Sequence, residues 1–103
     1  MISIDFIREE IFAQTYEISI HADDERIAES LTVEQVESAL LSGSIIEQDT
    51  EDPRGASCLV LGFASGGLPV HVVCGQNRSR HLIIITVYKP SMPKWKDPNT
   101  RNR

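Results

Sequence analysis

Hydrophobic residues near the start of the chain recur with the spacing of a helix. The apolar stripe comprises Ile4, Ile7, Ile11 and Phe12, which stand at i, i+3, i+7 and i+8. Ser3 precedes this stripe, and its hydroxyl can accept a hydrogen bond from a free backbone N–H of the first turn. The pattern predicts a short amphipathic helix over residues 4–12 with Ser3 as its N-cap.

Two further helices are predicted after a short extended link at residues 15–19. The first runs from about 21 to 30 and is capped by Ser19. Its expected buried stripe comprises Ile20, Ile27, Ala28 and Leu31. The next helix begins at Thr32, where Thr32-Val33-Glu34-Gln35 has the form of a capping box, and it ends at Gly43.

After Gly43 the pattern changes to that of strands. Residues 44–49 form a short strand, and residues 58–64 and 69–75 form a hairpin around Ser65-Gly66-Gly67. Residues 81–88 are rich in Ile, Val and Thr and give the last strand. The sequence therefore predicts an α+β domain, with N-terminal helices followed by a four-stranded antiparallel sheet.

The prolines after Lys89 predict that regular secondary structure ends there. Pro90, Pro93 and Pro98 disfavour regular structure, so residues 91–103 are expected to be an extended basic tail on a single domain of residues 1–90. Trp95 lies among the basic side chains of this tail. It could stack on a base of single-stranded RNA, or it could fold back and cover an apolar face of the sheet.

Composition places the chain among ordinary globular proteins. It has 103 residues, of which 41% are hydrophobic and 24% charged, and it has no apolar run that could span a bilayer. The acidic start MISIDFIREE does not resemble a signal peptide. We therefore expect a cytoplasmic protein without a membrane partner, in which Cys58 and Cys74 are reduced although they could lie opposite each other.

Charge is divided unevenly along the chain, whose net charge is −5. Residues 1–52 contain 14 acidic and two basic side chains, whereas residues 53–103 contain eight basic and one acidic side chain. A polyanion such as RNA would be attracted to the second half. Arg78 and Arg80, in the turn before the last strand, and Lys89 after it are candidate RNA-binding residues.

His21 is the leading candidate for proton transfer. It opens the second helix, and Arg26 lies about a turn and a half further on, so both could face one cleft. Cleavage of RNA without a metal needs a base, an acid and a cation that stabilises the phosphorane. The alternative is that His21 only starts the helix and that Arg26 pairs with Asp23 or Glu29.

The last strand offers further candidates. Thr86 and Tyr88 are two residues apart and share one face, where a phenol could orient a phosphate or donate a proton, or could simply cap the core. His71 and His81 are interpreted as half-buried packing residues. His21 and Glu25 could ligate a metal, but no second ligand pair accompanies them, so neither a metal nor another cofactor is expected.

Sequence features spread along the chain resemble the bacterial family called domain of unknown function 4258. They comprise Tyr16-Glu17-Ile18-Ser19, His21-Ala22, Arg26, Leu31-Thr32, Glu34, Val36-Glu37, Ala39-Leu40, Gly43, Ile45-Ile46-Glu47, Cys58-Leu59-Val60-Leu61-Gly62, Pro69-Val70-His71-Val72-Val73, Ile83-Ile84-Ile85-Thr86-Val87-Tyr88, Pro90 and Trp95. The resemblance covers about residues 14–96.

The resemblance implies a fold related to the RelE-like and barnase-like ribonucleases. It implies a toxin of a toxin–antitoxin pair, with His21 and Arg26 as catalytic residues and Thr86 and Tyr88 at the phosphate. Family members often carry a second arginine near the end of the second helix, where this chain has Glu29-Ser30-Leu31. The alternative is therefore an interaction domain with a degenerate active site, which binds a protein partner or a second copy of itself.

Overall fold

The computed structural model describes residues 1–51, 53, 55–91 and 95–101, with the backbone alone at residue 96. Its helices are α1 (Ile4–Ala13), α2 (Ile20–Ala28) and α3 (Val33–Ser42). Its strands are β1 (Glu17–Ile18), β2 (Ser44–Asp49), β3 (Ser57–Ala64), β4 (Leu68–Gln76), β5 (Leu82–Tyr88), β6 (Trp95–Asp97) and β7 (Thr100–Arg101). A single 3₁₀ turn, Ser65–Gly67, joins β3 to β4.

Five of the strands form one mixed sheet in the order β1-β5-β4-β3-β2. The α+β class is confirmed, but the prediction of four antiparallel strands is wrong. The fifth strand is β1, which pairs parallel to β5 through Glu17 with Ile83 and Ile18 with Ile84. Two residues are too few to show the alternation that identifies a strand, so the sequence indicated only an extended link.

The inner face of the sheet carries the main core and is covered by the helices. Val60 lies opposite Val72, and Val72 lies opposite Val87; all three are buried. Helix α3 approaches β3 very closely at Gly62, where an added Cβ would lie 1.8 Å from the carbonyl oxygen of Ala39. Glycine is therefore required at this position for the helix to reach the sheet.

The predicted helix starts are confirmed by their hydrogen bonds. The Ser3 hydroxyl accepts from the N–H of Phe6 at 3.1 Å, and the Ser19 hydroxyl accepts from Ala22 at 3.0 Å. At α3 the capping box is complete, since Thr32 and Gln35 each accept a bond from the other's backbone N–H. These local signals depend only on near neighbours in sequence, which is why they could be read without the fold.

The predicted buried stripe of α2 is wrong in part. Ile20 and Ile27 are 84% and 59% exposed and Ala28 is exposed as well, so that Leu31 alone of the predicted stripe is buried. The helix lies instead along β5, where the carboxylates of Glu25 and Glu29 accept hydrogen bonds from the backbone N–H groups of Val87 (3.1 Å) and Lys89 (3.3 Å). Turning these carboxylates toward the strand turns the two isoleucines outward. On α1, a similar error concerns Phe12, which is 84% exposed.

The outer face of the sheet is partly covered by the hairpin of β6 and β7. The stretch predicted to be an extended tail therefore contains paired strands, and Trp95 is only 2% exposed. A turn at Pro98-Asn99 permits this pairing, because the carboxylate of Asp97 accepts a hydrogen bond from the N–H of Asn99 at 2.9 Å. The packing alternative for Trp95 is confirmed, and the tail residues 92–94, 102 and 103 lie outside the described part.

The hairpin of β3 and β4 agrees with its prediction. Its loop has three residues, and Cys58 lies directly opposite Cys74 on the inner face. Both cysteines are buried and free.

Candidate functional site

A tyrosine–histidine pair lies at the centre of the outer face. His71 on β4 is directly opposite Tyr88 on β5, and its Nδ1 is 3.0 Å from the Tyr88 hydroxyl. Its Nε2 is 2.6 Å from the carbonyl oxygen of Pro98. Because a carbonyl can only accept, Nε2 carries the proton, and Nδ1 accepts the hydrogen bond that the Tyr88 hydroxyl donates.

Burial keeps this pair neutral. The imidazole of His71 is fully buried, and burial lowers its pKa even though the hydrogen bond to Pro98 acts in the opposite direction. Burial likewise raises the pKa of the Tyr88 phenol. The indole N–H of Trp95 and the charge of Arg101 oppose that rise, although the indole N–H lies outside hydrogen-bond geometry.

A cation lies beside the pair. Arg101 on β7 forms a bidentate ion pair with Glu47 on β2, with Nε to Oε2 at 2.6 Å and Nη2 to Oε1 at 2.8 Å. Its guanidinium carbon lies 4.5 Å from the ring centroid of Trp95, whose edge meets the His71 ring at a centroid distance of 4.3 Å. The bonds to Glu47 raise the pKa of Arg101, so the guanidinium stays charged.

Tyr88 and Arg101 line a cavity of about 180 Å³, which we call cavity A. Its other polar lining residues are Glu47, Gln48, Asp49 and Ser57, and Leu59 and Val73 are apolar. A phenol backed by a proton acceptor, next to a guanidinium, can bind an anionic oxygen and move a proton at it. The arrangement suits chemistry on a phosphate ester.

His21 lies outside cavity A but is connected to its neighbourhood. Its side chain is 69% exposed, and its Nε2 is 3.2 Å from Oε1 of Glu25. The same oxygen accepts the backbone N–H of Val87, the residue before Tyr88. A depression of about 360 Å³, bordered by Glu25, Glu29 and Tyr88, lies between α2 and the end of β5.

Arg26 is held at the end of its own helix. Its Nε lies 2.7 Å from Asp23 Oδ1, and its Nη1 donates to the carbonyl of Leu31 at 3.2 Å. The predicted alternative of a pair with Asp23 is therefore confirmed. Within the described residues, no hydrogen bond or ion pair joins Arg26 to His21 or to Tyr88.

The predicted RNA-binding residues occupy different surroundings. Arg78 and Arg80 are exposed in the turn between β4 and β5, and Thr86 shares the outer face with Tyr88. The backbone N–H of Lys89 is bonded to Glu29. The prediction that Trp95 stacks on a base does not fit this conformation, because its ring is covered by His71 and Arg101.

Sequence reasoning missed the residues that surround Tyr88. His71 was assigned to packing, although a period of two along β4 places it on the same face as Val73, away from the helices. Its pairing with Tyr88 depends on the register of β4 and β5, which the hairpin loops set. No local signal could have brought Arg101 and Glu47 together, because they are 54 residues apart.

Comparison with known proteins identifies the family. The family model described as "Domain of unknown function (DUF4258)" matches residues 18–89. The chain therefore belongs to this family, as its sequence features indicated. No curated protein and no solved structure matches it.

Two further findings concern the described residues alone. None of their helices is long and apolar enough to cross a membrane. Among the same residues, His, Cys, Asp and Glu side chains form no group of three that could hold a metal ion.

Proposed function

We propose that the chain is a small metal-independent ribonuclease whose active site is cavity A. One observation carries the proposal: Tyr88, whose hydroxyl is hydrogen-bonded to the buried His71, lines the same cavity as Arg101. Such a set contains a proton relay and a cation, two of the three components that cleavage of a phosphodiester by a 2′-hydroxyl requires.

The relay supplies the base. The 2′-oxygen attacks phosphorus as its proton passes to the Tyr88 oxygen, and the phenol proton passes to Nδ1 of His71. Arg101 stabilises the negative charge of the phosphorane. The bond from phosphorus to the 5′-oxygen then breaks, and the leaving oxygen takes a proton from the third component, an acid.

His21 is the proposed acid. It is exposed, and its partner Glu25 lines the depression that also borders Tyr88. The RNA would have to extend from cavity A toward this depression for His21 to reach the leaving oxygen. Arg26 acts on this site only by closing the end of α2, because its guanidinium is bonded to Asp23 and Leu31. Arg101 thus takes the role that sequence analysis gave to Arg26.

Removal of the Tyr88 hydroxyl tests the proposal. Tyr88→Phe is expected to lower the rate of cleavage of a single-stranded RNA by about 100-fold, because the proton relay is broken. Tyr16→Phe is the matched control: the Tyr16 hydroxyl is also bonded, to Glu37 at 2.5 Å, but lies outside cavity A. Equal rates in the two variants, or no cleavage by the unchanged protein, would refute the ribonuclease.

The toxin role implied by the family resemblance is a second part of the proposal. Expression of the chain is expected to arrest bacterial growth, and Tyr88→Phe and His21→Ala are each expected to relieve the arrest. An antitoxin would be a small protein encoded beside it whose co-expression restores growth. If expression of the unchanged chain does not affect growth, the toxin role is refuted. The ribonuclease proposal is then tested by the cleavage assay alone.

One observation favours the alternative of an interaction domain. Ile20 and Ile27 are seven residues apart on α2, so they share a face, and both are exposed. An apolar helix face of this kind is typical of protein–protein contacts. If the chain itself is the partner, light scattering will give twice the monomer mass, and Ile20→Ser with Ile27→Ser will restore the monomer.

A further inference from the structure

A second cavity lies further along the outer face, near the turn between β4 and β5. This cavity, which we call cavity B, has a volume of about 370 Å³. Ile83 and Ile85 supply an apolar wall, and Gly75 lies against them, since an added Cβ would come within 2.8 Å of Ile85 Cδ1. Arg78 and Gln76 lie at its solvent-exposed border.

Ser57 connects the two cavities. It lines both cavity A and cavity B, and it is 9% exposed. In the part of the chain that the structure describes, its hydroxyl makes no hydrogen bond. The hydroxyl is therefore free to exchange a hydrogen bond with a polar ligand group in either cavity.

We propose that cavity B binds a nucleobase of single-stranded RNA, next to the nucleotide whose phosphate lies in cavity A. This inference rests on the ribonuclease proposal and extends it to the recognition of the substrate. Bases of single-stranded RNA are commonly recognised by stacking on a side-chain plane and by hydrogen bonds at the base edge. Cavity B offers both kinds of contact.

The stacking contact comes from Arg78. Within the described residues its guanidinium makes no ion pair, so its plane is available to a base that enters between it and the apolar wall of Ile83 and Ile85. Among the described lining residues the only cation is Arg78, and an apolar wall with such a border favours a flat, weakly polar ring. An acidic peptide would instead meet one cation and a mostly apolar surface.

The Ser57 hydroxyl can meet the edge of the base, because a hydroxyl can both donate and accept a hydrogen bond. The Gln76 side chain is directed elsewhere: its amide nitrogen donates to the carbonyl of Arg80 at 3.0 Å, and the alternation of β4 places it on the same face as Cys74.

The separation of the cavities agrees with one continuous strand of RNA. Along β5, Tyr88 in cavity A lies three positions from Ile85 in cavity B, which corresponds to about 10 Å. A phosphate, its ribose and the attached base can cover this distance. The two cavities therefore fit parts of one ligand.

The probe for this subsite is a short 2′-O-methyl oligoribonucleotide, which cannot be cleaved through its 2′-oxygen. Its binding is compared with that of the same oligonucleotide carrying one abasic position, by titration and by NMR of isoleucine methyl groups. We expect the normal probe to bind at least about 10-fold more tightly, as stacking of one base allows. The methyl signals of Ile83 and Ile85 should shift with the normal probe only.

Two matched variants separate stacking from charge. Arg78→Gln and Arg80→Gln remove the same charge from the same turn, but only Arg78 lines cavity B. Both should weaken binding of the abasic probe equally, through the shared electrostatic attraction. Only Arg78→Gln should abolish the preference for the normal probe, whereas Arg80→Gln should keep it.

The outcomes distinguish this inference from the function on which it rests. Selective methyl shifts without any RNA cleavage would keep the base subsite and refute the ribonuclease. RNA cleavage combined with equal binding of the two probes, or with equal preference in the two arginine variants, would refute the subsite and keep the enzyme. Failure of the normal probe to bind would also refute the subsite, as would methyl shifts confined to other isoleucines.

Discussion

The two faces of the sheet differ in packing density and in polarity. The inner face is a dry core in which helix backbone lies directly on strand backbone, as at Gly62 and Ala39. The outer face has hydrogen-bonded polar side chains, such as His71 and Tyr88, next to cavities and under a short hairpin. The inner face leaves little freedom to any residue, whereas the outer face keeps room for a ligand. We infer that stability is concentrated on the first and chemistry on the second.

Two strand glycines provide the strongest test of this contrast. Gly62→Ala would force a Cβ to within 1.8 Å of the Ala39 carbonyl, so we expect it to lower the free energy of unfolding by about 3 kcal/mol or more. On the outer face, the Cβ of Gly75→Ala would come too close only to the flexible end of Ile85, at 2.8 Å. We expect this substitution to change the free energy of unfolding by less than about 1 kcal/mol. Urea denaturation measures both. Similar losses would show that the faces are packed alike.

The partly buried carboxylate of Glu10 joins the helical layer to the sheet and should give the next largest effect. Burial alone would raise the pKa of Glu10, but its hydrogen bonds outweigh burial and lower it. The donors are Leu82 N–H at 2.7 Å, the Thr15 hydroxyl at 2.7 Å and His81 Nδ1 at 3.1 Å. Glu10→Ala should cost about 2 kcal/mol of unfolding free energy, because the Leu82 N–H loses its acceptor. Glu9→Ala, which alters an exposed neighbour, is the control.

Protonation should weaken the outer face selectively. Because the pKa of His71 is lowered in the folded protein, the unfolded chain binds a proton first as the pH falls below about 6.5. The contribution of His71 to stability is therefore complete above that pH and is lost below it. His71→Gln, whose amide can still donate to the Pro98 carbonyl, should remove this part of the pH dependence.

Denaturation curves recorded between about pH 5 and about pH 8 will measure this effect. Tyr88, Arg101 and Glu47 also face this region and contribute equally to both proteins, so the difference between the unchanged chain and His71→Gln isolates the imidazole. An unchanged pH dependence in the variant would show that His71 does not titrate as its burial requires.

The ion pair of the outer face should matter least for stability. Arg101 and Glu47 are 36% and 40% exposed, so solvent screens their attraction. A double-mutant cycle with Arg101→Gln and Glu47→Gln should give a coupling energy of about 0.5 kcal/mol. RNA cleavage by Arg101→Gln should nevertheless fall strongly. A coupling energy of several kcal/mol would instead identify the pair as structural support.

Local sequence signals predicted most of the inner layer. Helix caps at Ser3, Ser19 and Thr32 and the glycine-containing hairpin loop depend on residues a few positions apart, so they survive in any tertiary context. The prediction for α2 failed because its orientation is set by distant partners. Its carboxylates bond to Val87 and Lys89, and this requirement overrides the apolar stripe.

The candidate site was predictable only in part. The shared face of Thr86 and Tyr88 was predictable, since the period of a strand fixes it, whereas the role of Tyr88 remains a prediction. The partners of Tyr88 come from β4 and from the hairpin near the C-terminus, and their approach depends on strand register and on the burial of Trp95. Proline content was a poor guide to that hairpin because Pro98 lies in its turn.

The carboxylates of Glu25 and Glu29 have a consequence for observing α2. Strand β1 pairs only with Ile83 and Ile84, at the start of β5. Further along this border of the sheet, the two carboxylates accept the hydrogen bonds of the Val87 and Lys89 amides. Deuterium uptake at those two amides therefore reports the departure of α2 from β5 while the rest of the sheet stays intact. The exchange rates of these two amides therefore measure how often α2 separates from the sheet, and they can be recorded without denaturant.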